Sequence, residues 1–182
     1  MRVDSLAFHR EALDVAQHVI DAIDRSQFEL PTPCDEWNVR QLLEHMIGGN
    51  RRIAGHPPAV GEHLIGDDLS AAYAASGAQA AATFEAPGAL EAPCAVSYGP
   101  VPGSVYAGHR FIDVLIHGWD LAVATRQDTR MDPSLVEACF AVIEPQLDQL
   151  KASGAFGTDV VVPADADPQT RLLAVLGRKA NS

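Results

Sequence analysis

One stretch, HRFIDVLIHGWDLAVA at positions 109–124, limits the folds open to this chain more than any other. It is as apolar as a segment of a protein core, yet it also carries two histidines and two aspartates: His109, Asp113, His117 and Asp120. An α-helix advances about 100° per residue, so all four fall within about 80° of arc on one helix. A helix that is apolar on its other sides has to be covered by neighbouring elements, which favours a helical bundle.

Helical spacing of apolar residues recurs along the rest of the chain. It predicts helices over residues 4–25, 38–53, 69–84 and 104–125, a fifth from Pro133 to about residue 152 that Pro145 bends, and a short terminal helix after Asp167-Pro168. Residues 55–68 and 86–103 are rich in proline and glycine and are predicted to be loops, the second with a short extended piece at 95–98. We therefore expect an all-α fold, a bundle of four long helices with additional short C-terminal helices, in a single domain over residues 1–182.

Charge and cysteine usage exclude several classes of protein. Thirteen basic and twenty-four acidic residues give a formal net charge of −11 with no basic stripe, which argues against nucleic-acid binding. No apolar run approaches the ~18–20 residues of a membrane span, and no signal peptide is visible, so a cytoplasmic location is expected. Three cysteines without paired spacing, at positions 34, 94 and 139, are expected to be reduced thiols.

The polar line on the fourth helix has three interpretations. It can be the solvent-facing side of the helix, a hydrogen-bonded His–Asp pair inside the core, or a metal or catalytic site. Asp113 and His117 are four residues apart and project side by side, so they could hold one ion, as facing helices do in bundle metal sites. A third ligand would come from another helix, and His45, at the edge of the apolar stripe of the second helix, is the candidate. Taken alone, His45 is more simply explained as a boundary histidine that packs.

Three segments carry a resemblance to a known family: PTPCDEW-NVRQLLEHMIGGN, SYGPVPG and DVLIHGWDLAVAT, in that order. They resemble the DinB-like superfamily of metal-binding four-helix bundles, most closely the actinobacterial branch related to the metal-binding domain of mycothiol-dependent maleylpyruvate isomerase. The resemblance extends to LLAVLGR near the C-terminus. It implies that the metal ligands are His45, Asp113 and His117 and that the second and fourth helices face each other. The isomerase has a glutamate where this chain has Asp113, and it carries a further C-terminal domain.

Two nitrogen donors and one oxygen donor suit Zn²⁺, and Ni²⁺, Mn²⁺ and Fe²⁺ are compatible with them. Three protein ligands leave a position for water or a thiolate, and the resemblance implies that the thiol is mycothiol. The predicted function is therefore that of a metal-dependent enzyme of the isomerase or S-transferase type, which adds a small thiol to an electrophilic substrate. The alternatives are a non-catalytic metal-binding or sensing bundle and a purely structural bundle.

The remaining candidate residues have assigned or open roles. Asp120 is expected to orient a ligand histidine. His109 is either a proton donor, an outer wall of the site or a surface histidine at the start of the helix. Cys34 lies beside the N-terminus of the second helix, where thiol pKa values fall, but a packing role is favoured over a nucleophilic one. The expected partners are the small thiol and its electrophilic substrate, and a homodimer is left open.

Overall fold

The structure, a computed structural model, describes residues 4–35, 37–55, 68–96, 99–148 and 160–180. Six helices follow one another along these ranges: α1 Ser5–Asp21, α2 Val39–Ile53, α3 Leu69–Glu85, α4 Gly103–Ala124, α5 Pro133–Ile143 and α6 Pro168–Val175. Two short strands, β1 Pro93–Val96 and β2 Gly99–Pro102, pair antiparallel between α3 and α4. Short 3₁₀ turns occupy Arg25–Gln27 and Glu144–Gln146. The predicted all-α class is confirmed.

The helix starts are set by local side-chain chemistry. Asn38 and Gln41 form the predicted capping box on α2, each side chain bonding the backbone N–H of the other residue. Asp132 and Asp167 cap α5 and α6, and each is followed by a proline at the first helical position.

The structure corrects several predicted boundaries. The first helix ends at Asp21 instead of residue 25, because Asp24 and Gln27 form a capping box of their own on a separate 3₁₀ turn. The predicted loop at 86–103 contains a hairpin, since the extended piece finds a partner strand. Pro145 lies in a 3₁₀ turn that follows the end of α5 at Ile143, residues 147–148 are helical again, and the predicted end near residue 152 lies outside the described residues. Most of the predicted loop at 55–68 lies outside them too.

The chain divides into two compact units, and the larger one, Asp4–Gln127, contains α1 to α4. In it, α1 packs on α4 and α3, and α2 packs on α3 and α4, so the four helices enclose one core. Gly118 of α4 allows a close approach to α1, because a Cβ at Gly118 would lie only 3.3 Å from the Cβ of Ala16. Large side chains from all four helices fill the core, among them Ile20, Leu42, Met46, Tyr73, Phe111 and Ile116.

The second unit consists chiefly of Asp128–Ser182, and in it α5 packs on α6. The side chain of Gln169 accepts a hydrogen bond from the backbone of Met131 and donates one to the carbonyl of Thr129, which ties the start of α6 to the segment before α5. Among the described helices of the chain, none is both long enough and apolar enough to cross a bilayer.

Candidate metal centre

Helix α2 brings His45 to the edge of the bundle core. The buried side of α2 is formed by Val39, Leu42, Leu43, Met46 and Ile47. His45 lies beside this stripe, and its side chain is 34% exposed, so it faces the interior without being sealed inside. The Nε2 atom of His45 is nevertheless buried and has no hydrogen-bond partner among the described residues. A buried nitrogen without a partner is costly unless something absent from the protein chain satisfies it.

Helix α4 supplies the two other predicted ligands. Oδ1 of Asp113 lies 3.6 Å from Nε2 of His45 and 3.7 Å from Nε2 of His117. These separations are too long for hydrogen bonds, so the carboxylate is not simply bonded to the imidazoles. The structure therefore brings the three predicted residues of α2 and α4 together, with their donor atoms within 4.8 Å of one another.

The spacing of these three donors suits one divalent ion. Zinc binds histidine nitrogen and carboxylate oxygen at about 2.0–2.1 Å, so neighbouring ligands of a tetrahedral site lie about 3.3 Å apart. The observed 3.6 and 3.7 Å are within a few tenths of an ångström of that value. Exposure rises from 8% at the His117 side chain to 34% at His45, so the cluster opens toward solvent on the His45 side. An ion held here would keep a position accessible to a small molecule.

Asp120 orients His117 from behind. Its carboxylate is completely buried, and Oδ2 lies 3.0 Å from Nδ1 of His117. A carboxylate can only accept a hydrogen bond, so Nδ1 carries the proton and donates it, which leaves the lone pair on Nε2 facing Asp113. This is the arrangement that holds a metal-ligating histidine in the correct tautomer.

Arg110 lies on the opposite side of Asp113. Its guanidinium donates to Oδ2 of Asp113 over 2.8 Å, and its side chain is only 8% exposed. Burial alone would raise the pKa of Asp113, but the positive charge of Arg110 beside it outweighs burial and holds that pKa well below its ordinary range. Asp113 is therefore ionised at neutral pH, which is the form that binds a cation.

The loop before α2 forms a wall of the cluster. The Trp37 ring stacks on the His45 ring with centroids 4.2 Å apart and contacts His117 edge-on at 5.8 Å. Thr32 fixes this loop, because its hydroxyl donates to the carbonyls of Cys34 and Trp37 and accepts from the N–H of Cys34. The Cys34 sulfur forms a second donor group with His117 and Asp120, all within 4.8 Å. Cys34 was expected only to pack near the start of α2, and Trp37 was not predicted at all.

The other histidines are placed differently. His109 is half-buried on α4, one turn before Asp113, and neither of the two donor groups among the described residues includes it. His9 of α1 is fully buried against Phe84, and burial, followed by the charge of Arg110, lowers its pKa to about 4. His9 was passed over in the sequence because it has no carboxylate at helical spacing. The signal available there was its position on the apolar side of α1, next to Ala12 and Leu13.

Comparisons with known proteins agree with this architecture. A family model described as the mycothiol maleylpyruvate isomerase N-terminal domain matches residues 9–122. Two uncharacterised proteins of Mycobacterium tuberculosis, from strains CDC 1551 / Oshkosh and ATCC 25618 / H37Rv, are each 36% identical over 187 residues, covering 97% of this chain and 98% of theirs. A crystal structure of the mycothiol-dependent maleylpyruvate isomerase superposes with a TM-score of 0.65 at 18% identity, over 87% of this chain and 74% of that one.

Proposed function

The chain belongs to the family of the mycothiol maleylpyruvate isomerase N-terminal domain, and from that premise we propose that it is a metal-dependent enzyme that activates a small thiol. One observation supports the metal most directly: Nε2 of His45 is buried without a hydrogen-bond partner among the described residues, 3.6 Å from a carboxylate oxygen. Two imidazoles and one carboxylate suit Zn²⁺, and they also accept Ni²⁺, Mn²⁺ or Fe²⁺. Such an ion would supply Lewis acidity and hold a small thiol, mycothiol by analogy with the related isomerase, in its deprotonated form.

Three residues of the protein would orient the ligands and supply a proton. Asp120 keeps the lone pair of His117 Nε2 directed into the site, and Trp37 holds the ring of His45 in place by stacking on it. The thiol sulfur would add to an electrophilic carbon of the substrate. If the adduct rotates about the former double bond and then expels the thiol, the product is the geometric isomer of the substrate. If the sulfur stays bound to carbon and the adduct is protonated, the product is that of S-transfer. His109, one turn before Asp113, is our candidate for the group whose ring nitrogen gives a proton to the substrate.

The metal assignment is tested by elemental analysis of the full chain. We expect one divalent ion per chain, and a sharply lower content in His117→Ala because an inner ligand is lost. His18→Ala is the matched control, since His18 lies on α1 outside both donor groups. A full complement of metal in His117→Ala would refute the ligand set.

Thiol activation is tested with the cobalt-substituted protein. Adding mycothiol should produce a sulfur-to-cobalt absorption band that persists well below the ordinary thiol pKa of about 8.5. If mycothiol and simpler thiols leave the spectrum unchanged at millimolar concentration, the thiol mechanism is wrong. Metal binding without any thiol response would instead favour a metal-binding or sensing protein.

A further inference from the structure

Arg110 is the feature of this fold that the proposed function leaves unexplained. It lies on a predominantly apolar helix and is itself buried, although arginine is almost never fully buried without a partner. Its NH1 atom donates to Oδ2 of Asp113, and the other oxygen of that carboxylate, Oδ1, faces the two imidazoles. The guanidinium therefore takes one oxygen of the carboxylate and leaves the other for an ion.

The guanidinium is itself held from a second helix. Its NH2 atom lies 3.4 Å from Oδ1 of Asn50, a fully buried residue of α2. Asn50 in turn donates to the hydroxyl of Ser76 over 3.4 Å, and that hydroxyl donates to the carbonyl of Tyr73 over 2.9 Å. A chain of buried polar contacts thus runs from Asp113 on α4 through α2 to α3. Such a chain fixes the direction from which the guanidinium approaches Asp113.

Gly49 provides the space that this arrangement needs. A Cβ at Gly49 would lie 2.5 Å from both terminal nitrogens of Arg110 and 2.7 Å from its Cζ. The guanidinium therefore lies directly against the α2 backbone, one turn after His45. Glycine is a poor helix former, but at Gly49 the absence of a side chain makes room for the guanidinium. At Gly48, its neighbour in the same helix, no atom of the described residues lies within 4 Å of the Cβ position, apart from the helix's own backbone.

We propose that Arg110 is a positioning residue for the metal centre, seated by Gly49 and Asn50 so that Asp113 presents a single oxygen to the ion. The inference rests on the proposed function only in taking His45, Asp113 and His117 as the ligands. It adds that the carboxylate is ordered before the ion arrives. Outer contacts of this kind typically change metal affinity by about 10–100-fold.

The test compares alanine at two adjacent glycines of the full chain. In Gly49→Ala the new methyl group would overlap the guanidinium of Arg110. The α2 backbone fixes the position of this methyl group, so the guanidinium has to move. We expect Co²⁺ affinity, measured by competition with a chromophoric chelator, to fall by about 10–100-fold. The visible absorption of the bound cobalt should change too, since a freed carboxylate can bind through both oxygens. Gly48→Ala should match the wild type in both measurements.

A double substitution tests whether displacement of Arg110 causes the weaker Co²⁺ binding of Gly49→Ala. Arg110→Met removes the guanidinium and should weaken Co²⁺ binding to a similar extent, and adding Gly49→Ala to it should have no further effect. Should Arg110→Met fail to fold, the comparison of Gly49→Ala with Gly48→Ala still tests the positioning role. Both of these variants replace glycine by the better helix former alanine, so both are expected to keep α2 folded. Equal Co²⁺ affinity and identical cobalt spectra in Gly49→Ala and Gly48→Ala would overturn the inference.

The outcomes separate this inference from the proposed function. Cobalt binding that depends on Gly49, with no response to thiols, would support the positioning role and refute thiol activation. If both glycine variants bind cobalt with equal affinity and respond equally to thiols, thiol activation is supported and the positioning role of Arg110 is refuted. A wild-type protein that binds no Co²⁺ would refute both.

Discussion

Replacing Asp120 by asparagine tests whether the tautomer of His117 is set from outside the metal centre. The carboxylate is completely buried and accepts from Nδ1 of His117 over 3.0 Å. A hydrogen bond to a charged group contributes about 1.5–3 kcal/mol and a neutral one about 1 kcal/mol. Replacing the carboxylate by an amide therefore weakens the hydrogen bond that holds the His117 ring by about 1–2 kcal/mol. At 1.4 kcal/mol per factor of ten, this is at least a several-fold weakening. The asparagine amide can also turn and donate to Nδ1, which moves the ring proton to Nε2 and adds to the loss.

We therefore expect Asp120→Asn to weaken Zn²⁺ binding by about 10–100-fold while one ion per chain is still bound at saturation. Chelator competition at fixed pH and salt measures the affinity, and nitrogen-15 NMR of the histidine rings reports the tautomer in the metal-free protein. Asp14→Asn on the exposed side of α1 removes the same charge and should leave both unchanged. Unaltered affinity in Asp120→Asn would refute the reasoning, and complete loss of the ion would show that Asp120 is itself a ligand.

Two further results are expected. Because the Trp37 ring stacks on His45 and Trp119 is the one other tryptophan in the sequence, bound Co²⁺ should quench the fluorescence of Trp119→Phe more strongly than that of Trp37→Phe; equal quenching in both would contradict a metal ion beside Trp37. The second result concerns His9, whose pKa falls to about 4 in the folded protein, below the ordinary value of 6.5. The unfolded chain therefore binds the extra proton first, and the free energy of unfolding should decrease as pH falls from 6.5 to 4, by up to roughly 3 kcal/mol. In His9→Leu, urea unfolding across this window should show a smaller decrease, and an unchanged one would refute the assignment.

The parts of the fold that depend on neighbours along the chain were predictable. Asn38 and Gln41 meet because they are three residues apart at a helix start, and Asp113 and His117 meet because they are four apart inside one. Both relations hold whatever the rest of the protein does. The hairpin was predicted only in part, because an extended piece was expected at 95–98 but its partner strand Gly99–Pro102 was not, and no local spacing identifies a strand's partner.

The surroundings of the candidate site could not be predicted in the same way. Spacing placed Asp113, His117 and Asp120 on one side of α4 and made His45 a candidate ligand from a second helix, but the resemblance to a family was needed to favour His45 as a ligand over a histidine that merely packs. The burial of Arg110 was not predicted, because arginine side chains are mostly exposed. Its second partner is Asn50, sixty residues away, and no local pattern joins the two.

The contacts of Asp113 give a physical explanation for an aspartate at this position. An aspartate is one methylene shorter than a glutamate, so an ion at this position could lie closer to α4 or be bound through water. Oδ1 of Asp113 is almost equally distant from the two imidazoles, at 3.6 and 3.7 Å, which is close to the separation of ligands that share an ion directly. Direct binding is thus favoured over binding through water. An aspartate also has one side-chain torsion fewer to order than a glutamate, and the guanidinium of Arg110 fixes it further, so little conformational entropy remains to be lost when the ion binds.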